Sequence, residues 1–243
     1  MSNRRWAFVL GLILTGSGLA VGDTVDPELR RQAEQSLANG RAALLQQTRV
    51  TVDVVWTLGN VLEIRPDEPL QAWADERAAE LSGDRFARLI DPQAPRPVLP
   101  EDPGEGMFRL SNYILAAVGS PASRAVRFID EYTAIVHEGY ALTHQVFVIQ
   151  WATETGLVLP ARVRRRLPGL VKRVAAEQAA EPPFRDLYAE SVALLLHYGA
   201  PGNQDVERWT RKIVEEQQED GSWGSNHTDA FCLLALTLAL ERD

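Results

Sequence analysis

The chain has 243 residues and a formal net charge of −8 at pH 7, which argues against nucleic acid or an anionic lipid surface as a partner. Its single cysteine, Cys232, excludes an internal disulfide, so packing must stabilise the fold. The thiol lies in an apolar run, where a buried and inert cysteine is expected.

The N-terminus has the three parts of a secretory signal peptide. Arg4 and Arg5 precede an apolar run from Trp6 to about Ala20, and small residues before Gly22 favour cleavage after that residue. An uncleaved membrane anchor is the alternative, but this run is shorter than the about 20 residues of a spanning helix. Residues 1–22 therefore predict an exported protein, periplasmic or secreted, with no stable membrane span after cleavage.

Residues 23–91 form a predicted N-terminal helical segment. Asp26-Pro27-Glu28 is a typical helix start, and that helix should run to about Gln46. Residues 51–63 are rich in β-branched side chains and fit a short strand, although their neighbours favour a helix. Asp67 begins a further helix. The five prolines of residues 92–106 then predict a connector or a strap across the surface.

From residue 107 onward the pattern is regularly helical. The predicted helices span 107–118, 121–137, 140–155, 160–179, 186–198, 203–218 and 227–241. Those at 160–179 and 203–218 are amphipathic and should form an outer layer. Those that follow His144 and Thr228 become apolar on all sides, as buried inner helices do. The alternation predicts helical hairpins arranged around an axis.

Two stretches of the chain repeat each other. Residues 170–199 align with residues 209–238, pairing Gln178 with Gln217 and Glu190 with Asp229. A repeat of about 40 residues indicates stacked helical hairpins. The predicted fold class for 107–243 is therefore all-α, with repeated hairpins that form a partial or complete α/α toroid.

The second repeat carries a recognisable motif. Residues 217–224 read QQEDGSWG, and the apolar helix after Thr228 follows them. This combination resembles the QW repeat of the terpene cyclase and prenyltransferase α/α-toroid superfamily. The resemblance covers 203–241 and extends less specifically over 107–202. It implies that a set of repeat residues ties adjacent hairpins together, namely Gln178, Phe184, Gln217, Gly221 and Trp223.

The catalytic motifs of that superfamily are missing. The chain has neither an Asp-x-Asp-Asp run nor an Asp-Asp-x-x-Asp run. Asp229 and Cys232 do not have the spacing of the prenyltransferase zinc ligands, and no later inner helix supplies a histidine. The resemblance therefore predicts an architecture and leaves the chemistry open.

A candidate site follows from the architecture. Inner helices that point their N-terminal ends at one opening would gather polar residues there, as a ligand-binding mouth. Its predicted members are Asn112, His144, Gln145, Tyr188, Glu190, His227 and Asp229. No cofactor is expected; a weaker alternative is zinc, held by His144, His227 and Asp229 with Glu190. These residues also fit a simpler role, capping helix N-termini.

Two functions remain open at this point. The first is an exported binding or scaffolding module that holds an unknown ligand or an envelope protein at the mouth or an outer face. The alternative is an enzyme on a lipid, isoprenoid or glycan, with Glu190 and Asp229 as acid and base.

Overall fold

The computed structural model describes residues 26–199 and 201–242. The predicted signal peptide at 1–22 lies outside these residues. Within them the chain is helical and contains no named strand, which confirms the all-α class. The helices are α1 (Pro27–Leu45), α2 (Val52–Ile64), α3 (Glu68–Glu80), α4 (Gly106–Leu115), α5 (Ala122–Ala134), α6 (Gly139–Glu154), α7 (Ala161–Arg164), α8 (Leu167–Ala179), α9 (Asp186–Tyr198), α10 (Asn203–Glu215) and α11 (Asn226–Leu240).

Local signals account for several helix boundaries. The Asp26 carboxyl accepts hydrogen bonds from the first amides of α1, and Asp67 accepts one from the Leu70 amide of α3. The predicted helix 160–179 is divided into α7 and α8. Pro168 lies in the first turn of α8, where a proline starts a helix more readily than it continues one.

The β-branched segment forms helix α2, not a strand. Val54, Val55 and Leu58 are fully buried, because α2 packs against α11 on one side and α3 on another. Burial on several sides outweighs the weak helix propensity of valine.

Four helices are buried over most of their surface, namely α2, α6, α9 and α11. Helix α11 packs between α2 and α9, and α9 contacts α6. The rings of Phe147 and Trp151 on α6 meet Trp56 of α2 edge-on, with centroids 6.0 and 5.5 Å apart. Each of the four helices therefore contacts at least two of the others.

More polar helices pack outside these four. Helix α8 contacts both α6 and α9, and α10 contacts α11 and α1. Helix α1 lies against α11, so the first described helix of the chain packs directly against the last.

The motif residues make the contacts between α10, α11 and α1. The Gln217 side-chain amide donates to the carbonyl oxygens of Ser36 on α1 and Gly221, each at 2.8 Å. The Trp223 indole N–H donates to the Ile213 carbonyl at 2.7 Å, and its ring lies against Gly40. Gly221 has a φ of +86°, which favours glycine.

The same positions of the first repeat make a simpler contact. Gln178 is buried on α8, and the Phe184 ring packs on Tyr188 with centroids 5.4 Å apart. The aromatic ring at the tryptophan position is kept, but its indole hydrogen bond is not.

The proline-rich segment 92–106 is anchored at several points. Leu99 is buried against Gly119, and its amide donates to the Ser120 carbonyl at 2.8 Å. The Arg96 guanidinium donates to the Thr155 carbonyl at the end of α6, at 2.6 Å. This segment joins the N-terminal helices to α4 and α6.

Candidate functional site

The N-terminal ends of the four buried helices bring polar side chains together. Helix α2 contributes Asp53 in its first turn, and α11 contributes His227 and Thr228. Helix α9 contributes two acids and α6 three further residues. We call this cluster the acidic mouth; its members are Asp53, Tyr140, Thr143, His144, Asp186, Glu190, His227 and Thr228.

Glu190 lies at the buried base of the acidic mouth. Its side chain has no solvent exposure, and its Oε2 atom accepts a 2.7 Å hydrogen bond from the Thr143 hydroxyl. Its Oε1 atom has no hydrogen-bond partner among the described residues. Burial, together with the charges of Asp53 and Asp186, raises the pKa of this carboxyl to about 8, although the hydrogen bond from Thr143 opposes the shift. Glu190 is therefore protonated at neutral pH.

The His227 ring lies between three acids. Its Nε2 atom is 3.2 Å from Oδ2 of Asp53 and 3.4 Å from Oε1 of Glu190. Its Nδ1 atom is 4.0 Å from Oδ1 of Asp186 and is buried without a hydrogen bond. Nε2 is therefore close to two carboxyl groups, whereas Nδ1 makes no hydrogen bond among the described residues.

Asp186 joins two of the buried helices at the rim. Its Oδ1 atom accepts hydrogen bonds from the hydroxyls of Thr228 and Ser225, and the latter is 3.2 Å long. Ser225 also caps α11 by accepting the Thr228 amide. This network fixes the starts of α9 and α11 relative to each other.

An aromatic pair from α6 forms another wall. The rings of Tyr140 and His144 lie 3.9 Å apart, and Nδ1 of His144 is 2.9 Å from the Tyr140 carbonyl oxygen. Burial, together with nearby His227, lowers the His144 pKa to about 4, although the Tyr140 carbonyl opposes the shift, so this imidazole is neutral at pH 7. Tyr140 is 47% exposed, and burial followed by the charges of Glu190, Asp53 and Asp186 raises its pKa.

Of the predicted mouth residues, the structure brings together His144, Glu190 and His227. Gln145 instead donates to the Tyr132 and Ile135 carbonyls at the end of α5, at 2.6 and 2.9 Å. Asn112 donates to the Pro103 carbonyl.

The remaining two predicted residues also have partners elsewhere. Tyr188 is buried against the Lys212 ammonium group, which lies 4.7 Å from its ring centroid. Asp229 accepts the Trp223 backbone amide at 2.5 Å and so fixes the turn before α11. Burial raises its pKa to about 6. Glu190 and Asp229 occupy equivalent repeat positions but contact different groups.

Sequence reasoning missed five members of the acidic mouth, Asp53, Tyr140, Thr143, Asp186 and Thr228. Asp53 and Asp186 each lie in the first turn of a buried helix. The rule that selected His227 would also have found Asp186. It would have found Asp53 only if 51–63 had been treated as an inner helix.

Within the described residues, the structure contains no group of three or more His, Cys, Asp or Glu side chains that could hold a metal ion. None of the helices in the part of the chain that the structure describes is long and apolar enough to cross a membrane.

Comparison of the chain with protein-family models, curated proteins and solved structures found no match.

Proposed function

We propose that the protein is an exported binding module built as an α/α toroid, and that its acidic mouth binds a small ligand through a protonated amine. The observation that carries this proposal is the Oε1 atom of Glu190, which is buried beside His227 without a hydrogen-bond partner. A buried polar group without a partner costs free energy, and a site that retains one is a candidate for ligand binding.

The helix contacts support the toroid. Helix α2 contacts α11, α11 contacts α9, and α9 contacts α6. Trp56 of α2 packs on Trp151 of α6 and so closes the ring of contacts. The more polar helices α1, α8 and α10 lie outside, as in stacked hairpins. This arrangement aims the four N-terminal ends at one opening.

The charges at the rim favour a cation. The side chains of Asp53 and Asp186 are 31% and 53% exposed, so a ligand reaches them before it reaches Glu190. Tyr140 adds an exposed ring, and aromatic faces attract ammonium groups. The aromatic body of such a ligand would rest on this ring.

Ligand binding should change the ionisation of Glu190. An ammonium group within about 4–6 Å stabilises the ionised carboxylate and lowers its pKa. Because Glu190 starts protonated, amine binding at neutral pH should release a proton. A coupling of this kind distinguishes the mouth from a generally acidic surface.

An enzyme is the second candidate, and one observation favours it. A protonated carboxyl at Glu190 and the second acid Asp53 flank the same imidazole nitrogen of His227. A proton donor beside an acceptor is the arrangement of general acid and base catalysis. In this candidate Asp53, and not Asp229, is the second acid, because the Asp229 carboxyl already accepts the Trp223 amide.

The proposal is tested by calorimetry with benzylamine on the purified mature protein. Wild type is compared with Glu190→Gln and with Glu154→Gln, a matched control. Glu154 is a partly buried glutamate whose pKa is also raised by burial, but it lies at the C-terminal end of α6, away from the mouth, and accepts hydrogen bonds from Trp56 and Gln150.

We expect benzylamine to bind wild type and Glu154→Gln equally and Glu190→Gln at least about tenfold more weakly, since a charged hydrogen bond is worth about 1.5–3 kcal/mol. Repeating the titration in two buffers of different ionisation enthalpy reports the released proton. Equal binding to all three proteins, or tighter binding of benzoate, would refute the proposed mouth.

Export and an envelope partner belong to the same proposal. The mature protein should begin at Asp23, which mass spectrometry of the protein from its native compartment measures. Retention of residues 1–22 in that protein would contradict export by signal cleavage.

A further inference from the structure

A cavity lies away from the acidic mouth. It has a volume of about 300 Å³ and is bounded by α1, the end of α2, the start of α3 and the last turns of α11. Small-molecule sites begin at about this volume. His227 in the mouth and Thr237 in the cavity are ten residues apart on α11, which corresponds to about 15 Å of helix.

The walls of this cavity are largely apolar. Apolar side chains from the four helices and from the loop between α2 and α3 form these walls. They are Leu37, Ala38, Val61, Pro66, Leu70 and Leu233. Such walls remove the apolar body of a ligand from water, which is the main source of affinity in small sites.

One buried hydroxyl lies in this apolar lining. Thr237 has no solvent exposure, and its Oγ1 atom has no hydrogen-bond partner among the described residues. Helical threonines usually donate to the carbonyl four residues earlier, as Thr57 does to Asp53 and Thr133 does to Ile129. Thr237 makes no such bond. Because its side chain has no exposed surface, a ligand in the cavity reaches this hydroxyl only when neighbouring side chains of the lining shift.

The charged residues at the cavity are already paired with each other. The Arg41 guanidinium binds Asp67, with Nε 2.5 Å from Oδ2, and Arg65 lies 2.9 Å from Glu34. Two cations and two anions leave no net charge here. A charged ligand would have to compete with one of these pairs, whereas a neutral ligand disturbs neither.

We propose that this cavity binds a small neutral molecule with an apolar body and one hydroxyl or carbonyl group, which hydrogen-bonds to Thr237. The site is independent of the acidic mouth and requires a different ligand chemistry. The two sites would let one protein hold an amine at one end of α11 and a neutral amphiphile at the other.

A matched set of ligands tests this inference. Benzyl alcohol, toluene, benzoate and benzylamine share one ring and differ in the attached group. Methyl NMR signals of Leu233 and Thr237 report entry into the cavity, and the titration gives the affinity. Benzyl alcohol should bind more tightly than toluene and the two ions.

Substitutions of Thr237 separate the hydrogen bond from the shape of the cavity. Thr237→Val should weaken benzyl alcohol binding about fivefold and leave toluene unchanged, because one hydrogen bond is lost. Thr237→Ser should retain the preference for the alcohol. Thr237→Val should fold at least as stably as wild type, since it removes a buried hydroxyl without a partner.

Two further variants test the location. Ala38→Phe should block both benzyl alcohol and toluene, whereas Ala72→Phe on the exposed part of α3 should block neither. Glu190→Gln should not affect benzyl alcohol, so failure of the mouth and failure of the cavity are distinguishable. The inference would be overturned if neither Thr237→Val nor Ala38→Phe changed the affinity for benzyl alcohol. It would also be overturned if benzoate or benzylamine bound the cavity more tightly than benzyl alcohol.

Discussion

The Nε2 atom of His227 lies 3.4 Å from Oε1 of Glu190, although the two residues belong to different helices and different repeats. Neither atom completes a hydrogen bond to the other. Asp53 lies 3.2 Å from the same nitrogen, on a helix more than a hundred residues earlier in the chain. The packing of α2, α9 and α11 thus creates a polar site whose hydrogen-bonding capacity is incompletely used.

Glu190→Gln should change how stability depends on pH. The folded-state pKa of Glu190, about 8, lies above the ordinary glutamate value of 4.5. Between these values the folded state binds more protons than the unfolded state, so wild type loses stability as pH rises from about 4.5 to 8. The glutamine variant lacks this loss, and its advantage should approach a limit of about 5 kcal/mol.

Denaturant unfolding at several pH values measures this difference. The advantage of Glu190→Gln should be near zero below pH 4.5 and constant above pH 8. An advantage that is independent of pH would show that Glu190 is ionised in the folded state.

Gln217→Ala should loosen the junction between α10 and α1. The substitution removes hydrogen bonds to the Ser36 and Gly221 carbonyls, which should cost about 1–3 kcal/mol of unfolding free energy. Hydrogen exchange should increase first in α1. Gln218→Ala, at the exposed neighbouring position, is the control and should leave exchange in α1 unchanged.

Gly40→Ala should destabilise the protein although alanine favours helices. A Cβ atom at position 40 would lie 2.3 Å from the Trp223 ring, and overpacking costs about 1–3 kcal/mol. The gain in helix propensity is about 1 kcal/mol.

Trp223→Phe provides the test of that contact, because phenylalanine lacks the second ring of tryptophan. In this background Gly40→Ala should be neutral or stabilising. A double-mutant cycle by chemical denaturation measures the coupling, and strict additivity would contradict the packing of Trp223 on Gly40.

Tyr140→Ala should weaken benzylamine binding about two- to fivefold, the value of an exposed cation–π contact. Tyr140→Phe should retain most of the affinity, since the ring is kept. Phe108→Ala removes another exposed aromatic ring, from α4, and should have no effect on the titration. A larger effect at Phe108 than at Tyr140 would place the amine elsewhere.

Several helices could be predicted because their start signals are local. The capping acids Asp26 and Asp67 begin α1 and α3, and α9 spans the residues expected from its apolar run. Residues 51–63 were ambiguous because valine favours strands, and only burial by α11 and α3 decides in favour of a helix.

The site was harder to predict because a sequence gives the position along a helix but not its rotation. Successive helical residues point about 100° apart. His144 therefore faces the acidic mouth, whereas Gln145 reaches the end of α5. The repeat likewise equated Glu190 with Asp229, although one carboxyl lies beside His227 and the other fixes the Trp223 turn.

The most direct test of the proposed binding function is the pKa of the Glu190 carboxyl, measured by carbon NMR with and without benzylamine. We expect a pKa near 8 in the free protein and a decrease by about one unit or more in the complex, accompanied by proton release. A free-protein pKa near the ordinary glutamate value of 4.5, or one that benzylamine leaves unchanged, would contradict an amine-binding mouth.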